Sequence, residues 1–205
     1  MKNLIFDLGG VIITLDQQQA IRRFEEIGLK DASRMLDAYT QQGIFGDLEC
    51  GRISELQFRE ALGQLVGRTL TFQECQYAWR GYCHEVPQQN LDVLLRLKAD
   101  GYRLILLSNT NPYMMDWAES SHFDGHGHGL GYYFDAMYKS YQIGYMKPDA
   151  RFFQYVMSHE HIVPQESLFI DDGERNIEAG KQLGLHTYLA ANGEDWAGKI
   201  YSLLL

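Results

Sequence analysis

The sequence predicts an α/β protein: a parallel sheet between two layers of helices, with a small all-helical unit inserted after the first strand. Three observations carry that expectation. The first apolar run, Asn3–Phe6, has no polar alternation, as in strands buried on both faces. About 70 residues of helical spacing with no convincing strand then follow, far more than an ordinary crossover needs. From residue 87 onward, short apolar runs alternate regularly with helical stretches, the pattern of a parallel three-layer sheet.

The elements follow in order. Met1 to Leu15 reads MKNLIFDLGGVIITL: a short strand delivers Asp7, and the chain turns through Gly9 and Gly10. Asp16 caps a helix, with Gln19 at the reciprocal capping position; Ala20, Ile21, Phe24 and Ile27 form its apolar stripe and Gly28 stops it. Helical spacing recurs over Ala32–Gln42, Ser54–Val66 and Thr71–Tyr82, with Ser54 and Thr71 as caps, and no strand is expected from Lys30 to about Val86. Residues 16–86 therefore read as a helical cap, and residues 1–15 with 87–205 as a Rossmann-like core. In that core Gln89–Asp100 is a helix closed by Gly101, and Tyr102–Leu107 is a buried strand ending on Ser108-Asn109-Thr110-Asn111. Phe134 and Ala136–Tyr138 suggest a third strand, leading to a loop with Lys147-Pro148-Asp149 and a helix over Ala150–His159. Ser167–Ile170 is a fourth strand, ending on Asp171-Asp172. A helix over Asn176–Leu183, a strand over His186–Leu189 and a helix over Trp196–Leu204 complete the chain.

Composition narrows the function. The chain has 205 residues, 45% hydrophobic and 22% charged, ordinary for a globular protein with a real core. A net charge of −9 argues against a nucleic-acid backbone or an anionic membrane as main partner. An anionic substrate would then need a local positive site. No apolar run approaches the roughly 20 residues of a membrane span, and the start does not read as a signal peptide. Cys50, Cys75 and Cys83 form no metal-type pairs, so the expectation is a cytoplasmic protein with free thiols. Residues 121–131, SHFDGHGHGLG, carry His122, His126 and His128. A flexible glycine-rich surface loop is the default reading, and metal binding the alternative.

Chemistry-bearing groups fall at the carboxyl ends of three strands and in one loop of a single sheet: Asp7, Ser108-Asn109, Lys147 and Asp171-Asp172. Open α/β sheets bind ligands there. Singly, each has an ordinary explanation as a capping, surface or helix-starting residue. Together they make a site of three carboxylates, a lysine, a hydroxyl and turn amides. Carboxylates that close need a compensating cation, and oxygen-only ligands favour magnesium over zinc.

FDLGGV, LLSNTN, YMKPD and FIDDGERN resemble, in order, the four motifs of the haloacid dehalogenase-like hydrolase superfamily. The nearest resemblance is to a bacterial branch that includes a sugar-1-phosphate phosphatase with DLG in its first motif. The resemblance spans residues 6–176. It implies a magnesium-dependent phosphatase acting on a small phosphorylated metabolite, such as a sugar 1-phosphate, through an aspartyl-phosphate. Asp7 would be the nucleophile; Ser108 and the amides near Leu8, Gly9 and Asn109 would hold the phosphate oxygens. Lys147 would neutralise charge, and Asp7, the Gly9 carbonyl, Asp172 and, directly or through water, Asp171 would bind Mg2+. Asn176 would orient Lys147 or the metal shell.

Members of the superfamily usually carry a second Asp where this chain has Gly9. Its loss removes a proton donor, which favours a substrate with a good leaving group such as an anomeric oxygen. Alternatively the cap supplies the proton, with Asp47, Glu49 and His84 as candidates. Phe45, Tyr77 and Trp79 read as cap core before substrate contacts. Two other functions fit the residues: a metal-independent 2-haloacid dehalogenase, and a phosphate-ligand-binding or regulatory module without turnover.

Overall fold

The computed structural model describes residues 1–37 and 41–204. Strand β1 (Asn3–Phe6) lies at the centre of a five-stranded sheet. Its neighbours are β4 (Arg103–Ser108) and β6 (Ser167–Asp171), with β5 (Ala136–Lys139) and β7 (His186–Leu189) at the edges. Every pairing in this sheet is parallel. Because successive side chains alternate, Leu4 and Phe6 join Leu104, Leu106, Leu168 and Ile170 on one face. Ile5 joins Ile105, Leu107 and Phe169 on the other. Helices α8 (Ala150–His159) and α9 (Glu174–Gln182) cover the second face with Phe152, Phe153, Val156 and Ile177. Helices α5 (Gln88–Ala99) and α6 (Pro112–Ala118) cover the first. Apolar sequence runs thus became central strands for a simple reason: each has a helical layer on both sides.

The inserted helices are α1 (Gln17–Glu26), α2 (Gly43–Glu49), α3 (Glu55–Val66) and α4 (Phe72–Trp79). Ser54 and Thr71 both close reciprocal capping boxes, with Gln57 and Glu74. The core of the insert is aromatic. Phe24, Phe45, Phe58 and Trp79 meet at centroid distances of 5.4 to 5.9 Å, mostly edge-to-face. Such contacts add about 0.5–1.5 kcal/mol each beyond area burial.

Besides the short helices α2 and α7 (Ser140–Ile143), which the helical spacing does not predict, the structure differs from the sequence expectation in five places. Thr14–Leu15 (β2) and Cys83–Glu85 (β3) pair antiparallel into a short ribbon at the neck of the insert, where no strand was expected before Val86. At two and three residues, neither has enough length to show a period. The Ala32–Gln42 stretch contains a single 3-10 turn at Ala32–Arg34, and the remainder of that expected helix lies partly outside the described residues. Helix α6 is an additional element, started by the Asn111 side chain accepting from Tyr113 N and Met114 N, with Pro112 at its first position. The last helix, α10, covers only Ile200–Leu203. Trp196 is instead an anchor whose Nε1 donates to the Val11 carbonyl at 2.7 Å.

The fifth difference is the histidine-rich loop, which is organised around one acid. Asp124 accepts from His126 N (2.7 Å), His128 N (3.0 Å) and Tyr133 OH (2.7 Å), and pairs with His128 Nδ1 at 2.8 Å. Among the described residues the histidines join no cluster able to hold a metal. No described helix is long and apolar enough to cross a membrane.

Candidate active site

Connections from β1 run outward through β4 to β5, then return to β6 and β7, so the order reverses between β1 and β6. A crevice opens outside the carboxyl ends at such a point. Asp7 leaves β1 on one side of it, and Asp171 and Asp172 leave β6 on the other. Backbone pairing carries on into the site, since Asp7 N donates to the Ile170 carbonyl at 2.9 Å.

Lys147 lies between the acids. Its Nζ is fully buried, 2.9 Å from Asp7 Oδ1 and 2.6 Å from Asp171 Oδ2. Asn109 sets the lysine's place: its Nδ2 donates to the Lys147 carbonyl at 2.9 Å and its Oδ1 accepts from Lys147 N at 2.8 Å. Asn109 therefore serves the lysine loop with its side chain, leaving only its backbone for the phosphate role expected of it. Asn176, in the first turn of α9, donates to Asp171 Oδ1 at 2.9 Å, where Gly173 N also donates at 2.8 Å. It acts on Asp171, and on Lys147 only through that acid. Asp171 spends both oxygens on these contacts, so its geometry is that of a lysine-holding residue more than of a free metal ligand. Leu8 N is likewise engaged, donating to Asp7 Oδ1 at 2.7 Å.

Asp172 is different. Its Oδ2 is buried without any hydrogen-bond partner. Carboxylate oxygens of Asp7, Asp171 and Asp172 all lie within 4.8 Å of one another. Burial pushes the Asp7 carboxyl up to about 8; Lys147 opposes this, and Asp171 and Asp172 add to it. Burial, then Asp171, pushes Asp172 up to about 6 against the pull of Lys147. Burial alone would lower Lys147, but Asp171 and Asp7 outweigh it and hold its ammonium above the ordinary range. One ammonium does not balance three clustered carboxyls. A hard divalent cation fits what is left over: all-oxygen donors, and one buried oxygen without a hydrogen-bond partner.

Glycines 9 and 10 make room for this arrangement in different ways. Gly10 adopts φ +73°, and a Cβ there would lie 2.1 Å from Asp172 Oδ2. Its part in seating Asp172 was not visible as anything more than a turn. Gly9 has an ordinary backbone, and the space beside it is filled by Leu15, whose Cδ1 would lie 3.2 Å from an added Cβ.

Above the acids is a cavity with about 700 Å³ of empty space, counting its open mouth. Asp7, Leu8, Gly9, Ser108, Asn109, Asp172 and Asn176 reach it from the sheet; Glu49, Trp79 and Tyr82 reach it from the insert. Lys147 and Asp171 sit behind this wall. Ser108 Oγ makes only a 3.3 Å bond to the Asn109 carbonyl and faces the cavity. Of the three proton donors considered from the insert, only Glu49 lines the cavity. Asp47 pairs with Arg52 at 2.6 Å, and His84 is exposed on β3. Phe45 is core; Trp79 is both core and cavity wall. Tyr77 is neither, being 45% exposed and donating its hydroxyl to Glu26.

Comparison with known proteins agrees with this architecture. The profile of the haloacid dehalogenase-like hydrolases matches residues 1–184, and the chain belongs to that family. It is 44% identical, over all of its length and 98% of the relative's, to a D-ribitol-5-phosphate phosphatase of Bacteroides thetaiotaomicron. Among solved structures, a HAD-like family hydrolase from Porphyromonas gingivalis shares 43% identity at a TM-score of 0.94, covering 100% of this chain and 98% of that one. A variant of the Bacteroides thetaiotaomicron enzyme bt-2542, in complex with magnesium and inorganic phosphate, shares 33% identity at a TM-score of 0.91, covering 98% of each chain.

Proposed function

We propose that this protein is a magnesium-dependent phosphatase of small phosphorylated polyols or sugars, working through an aspartyl-phosphate on Asp7. The observation that carries the reading is the acid cluster at the sheet's switch point, with Asp172 Oδ2 buried and unpartnered beside an Asp7 steered by Lys147. An orphaned buried carboxylate oxygen costs stability unless something binds it. Family membership and the phosphatase relative support the same reaction class.

In this reading Asp7 attacks phosphorus and the ester bond to the leaving oxygen breaks; water then cleaves the acyl phosphate and frees Asp7. Asp7, Asp172 and the Gly9 carbonyl would hold magnesium, which when bound offsets the charge of the phosphate. Lys147 holds one oxygen of Asp7 in place, and Ser108 Oγ turns to a phosphate oxygen. This chemistry needs mainly positioning and charge stabilisation. We further infer that the insert, approximately residues 16–86, acts as the cap that selects the leaving group, and that the protein works in the cytoplasm with its thiols free.

Ribitol 5-phosphate takes precedence as first substrate because of the 44% identical relative, with sugar 1-phosphates next. The test is phosphate release from ribitol 5-phosphate, glucose 1-phosphate and p-nitrophenyl phosphate, with magnesium and with chelator. Magnesium-dependent release, abolished by Asp7→Asn, is expected. No release from any ester would leave a binding module, and halide release from a 2-haloacid without metal would indicate a dehalogenase.

A further inference from the structure

The cavity contains a carboxyl group that the reaction so far does not use. Glu49 is the last residue of α2, is 8% exposed, and lines the cavity from the insert. The carboxyls on the sheet side are committed: Asp7 to attack, Asp171 to Lys147, Asp172 to the cation. Tyr82, the other ionisable group on the insert wall, donates its hydroxyl to the Asp37 carbonyl and accepts from Gln41, both at 2.9 Å. Position 9 offers no side chain, and Leu15 fills its space. We propose that Glu49 gives its proton to the departing alkoxide oxygen and afterwards takes one from the attacking water.

The assignment rests on the phosphatase reading and supplies what that reading lacks. A primary alkoxide is a poor leaving group unless it is protonated as it leaves. In the first step the phosphorus–oxygen ester bond breaks, the Glu49 proton moves to the leaving oxygen, and alcohol, aspartyl-phosphate and a Glu49 carboxylate result. In the second, water adds to phosphorus and gives its proton to Glu49. The bond from phosphorus to Asp7 breaks, releasing inorganic phosphate and restoring both acids.

Glu49 is placed to be an acid first. Burial pushes its carboxyl up to about 8, with Asn111 opposing only in part, so it holds its proton at neutral pH. Its seat at a helix C-terminus also disfavours negative charge. Asn111 is placed to receive the carboxylate that forms. Its Oδ1 is fixed by accepting from Tyr113 N and Met114 N at 3.1 Å, which leaves the NH2 edge as the free one. That Nδ2 is buried with no partner at full hydrogen-bond geometry, yet it already acts on the Glu49 carboxyl, and both residues line the same cavity.

The test uses leaving groups of different basicity on the parent enzyme and on Glu49→Gln. On the parent, kcat/KM across phenyl and alkyl phosphates should depend weakly on leaving-group basicity, because the proton offsets it. Glu49→Gln should lower kcat on ribitol 5-phosphate by about 10²- to 10⁴-fold. The same variant should still give a pre-steady-state burst of nitrophenol from p-nitrophenyl phosphate, within a few-fold of the parent in rate, then turn over slowly. Three results would overturn the proposal: a steep leaving-group dependence already present in the parent, an equal loss of burst and alkyl turnover in the variant, or a rise in KM alone. The parent series needs no variant to fold. A parent inactive on every ester would instead remove the phosphatase reading itself.

Discussion

Neighbouring glycines in the first turn should respond very differently to the same substitution. In Gly10→Ala the new Cβ would sit 2.1 Å from Asp172 Oδ2, more than 1 Å inside ordinary contact. The φ of +73° adds a left-handed penalty of roughly 1–2 kcal/mol for any L side chain. Asp172 cannot yield easily, because its neighbours Asp171 and Gly173 are hydrogen-bonded into the Lys147 network. Relief therefore moves the Asp172 carboxylate by about an ångström, and a misplacement of that size costs on the order of 10²-fold in rate. Gly9→Ala meets only the tip of Leu15 at 3.2 Å on an ordinary backbone, so kcat/KM should stay within about threefold. The assays are magnesium titration by calorimetry, thermal melting, and phosphate release. Gly10→Ala should melt lower, bind magnesium roughly tenfold or more weakly and lose about 10²-fold in kcat/KM. If Gly10→Ala binds magnesium like the parent, or Gly9→Ala is the worse variant, the packing of Asp172 against Gly10 is not what seats it.

Asn176→Ala removes a 2.9 Å bond to a fully buried carboxylate and should destabilise by about 1–3 kcal/mol, read by urea unfolding; activity should fall with it because Asp171 then holds Lys147 less firmly. Asp124→Ala strips the acceptor from three donors of the 121–131 loop and from the Tyr133 hydroxyl, so limited proteolysis should cut there while kcat stays near the parent value. Added zinc should shift the melting temperature of the parent and of a triple His122→Ala, His126→Ala, His128→Ala variant equally if the histidines of that loop hold no metal, because the acid cluster is common to both. Glu49→Gln should change the pH dependence of stability. The Glu49 carboxyl is raised by burial from 4.5 to about 8, so the folded state holds its proton more tightly. Its contribution is then complete below pH 4.5 and is lost as pH rises towards 8. The variant should match the parent near pH 5 and melt higher near pH 9. A difference of the opposite sign would show that Glu49 is ionised in the folded state.

Strand ends were legible because each is a sharp boundary: an apolar run buried by two helical layers stops, and a polar group follows at once. Asp7, Ser108, Lys147, Asp171 and Asp172 all lie at such boundaries or in the loop that faces them. Their convergence is a consequence of parallel pairing, which brings all carboxyl ends to one edge. What could not be read is contact between distant segments. Asp47, Glu49 and His84 look equivalent along the chain. Only the docking of the insert separates an acid paired with Arg52, one buried over the site, and an exposed imidazole. Asn176 reads as orienting Lys147 or the metal shell, and its contact is with Asp171, the acid that binds Lys147; that particular partner is set by side-chain direction within one helical turn. The α6 helix carries a signal, Asn111 followed by Pro112, but its seven residues are too few to show a helical period. Gly10 gave no hint of Asp172, because a close approach across the sheet leaves no trace in local sequence.

The two sides of the cavity divide the electrostatic work. On the sheet side, burial raises Asp7 and Asp172, because three carboxyls share one lysine. A cation there converts that strain into binding: a ligand at 100 times its Kd stabilises the folded state by about 2.7 kcal/mol. On the insert side burial raises Glu49 as well, but no cationic side chain is among the groups that act on it. A cation near that wall would ionise Glu49 and remove the proton it is proposed to give. Lys147, its side chain 0% exposed and bound to both Asp7 and Asp171, keeps its charge on the acid-cluster side and is not among the groups that act on Glu49. The same burial that would be a defect in a structural core therefore serves opposite ends here, calling for a metal where charge gathers and keeping a proton where the leaving group departs.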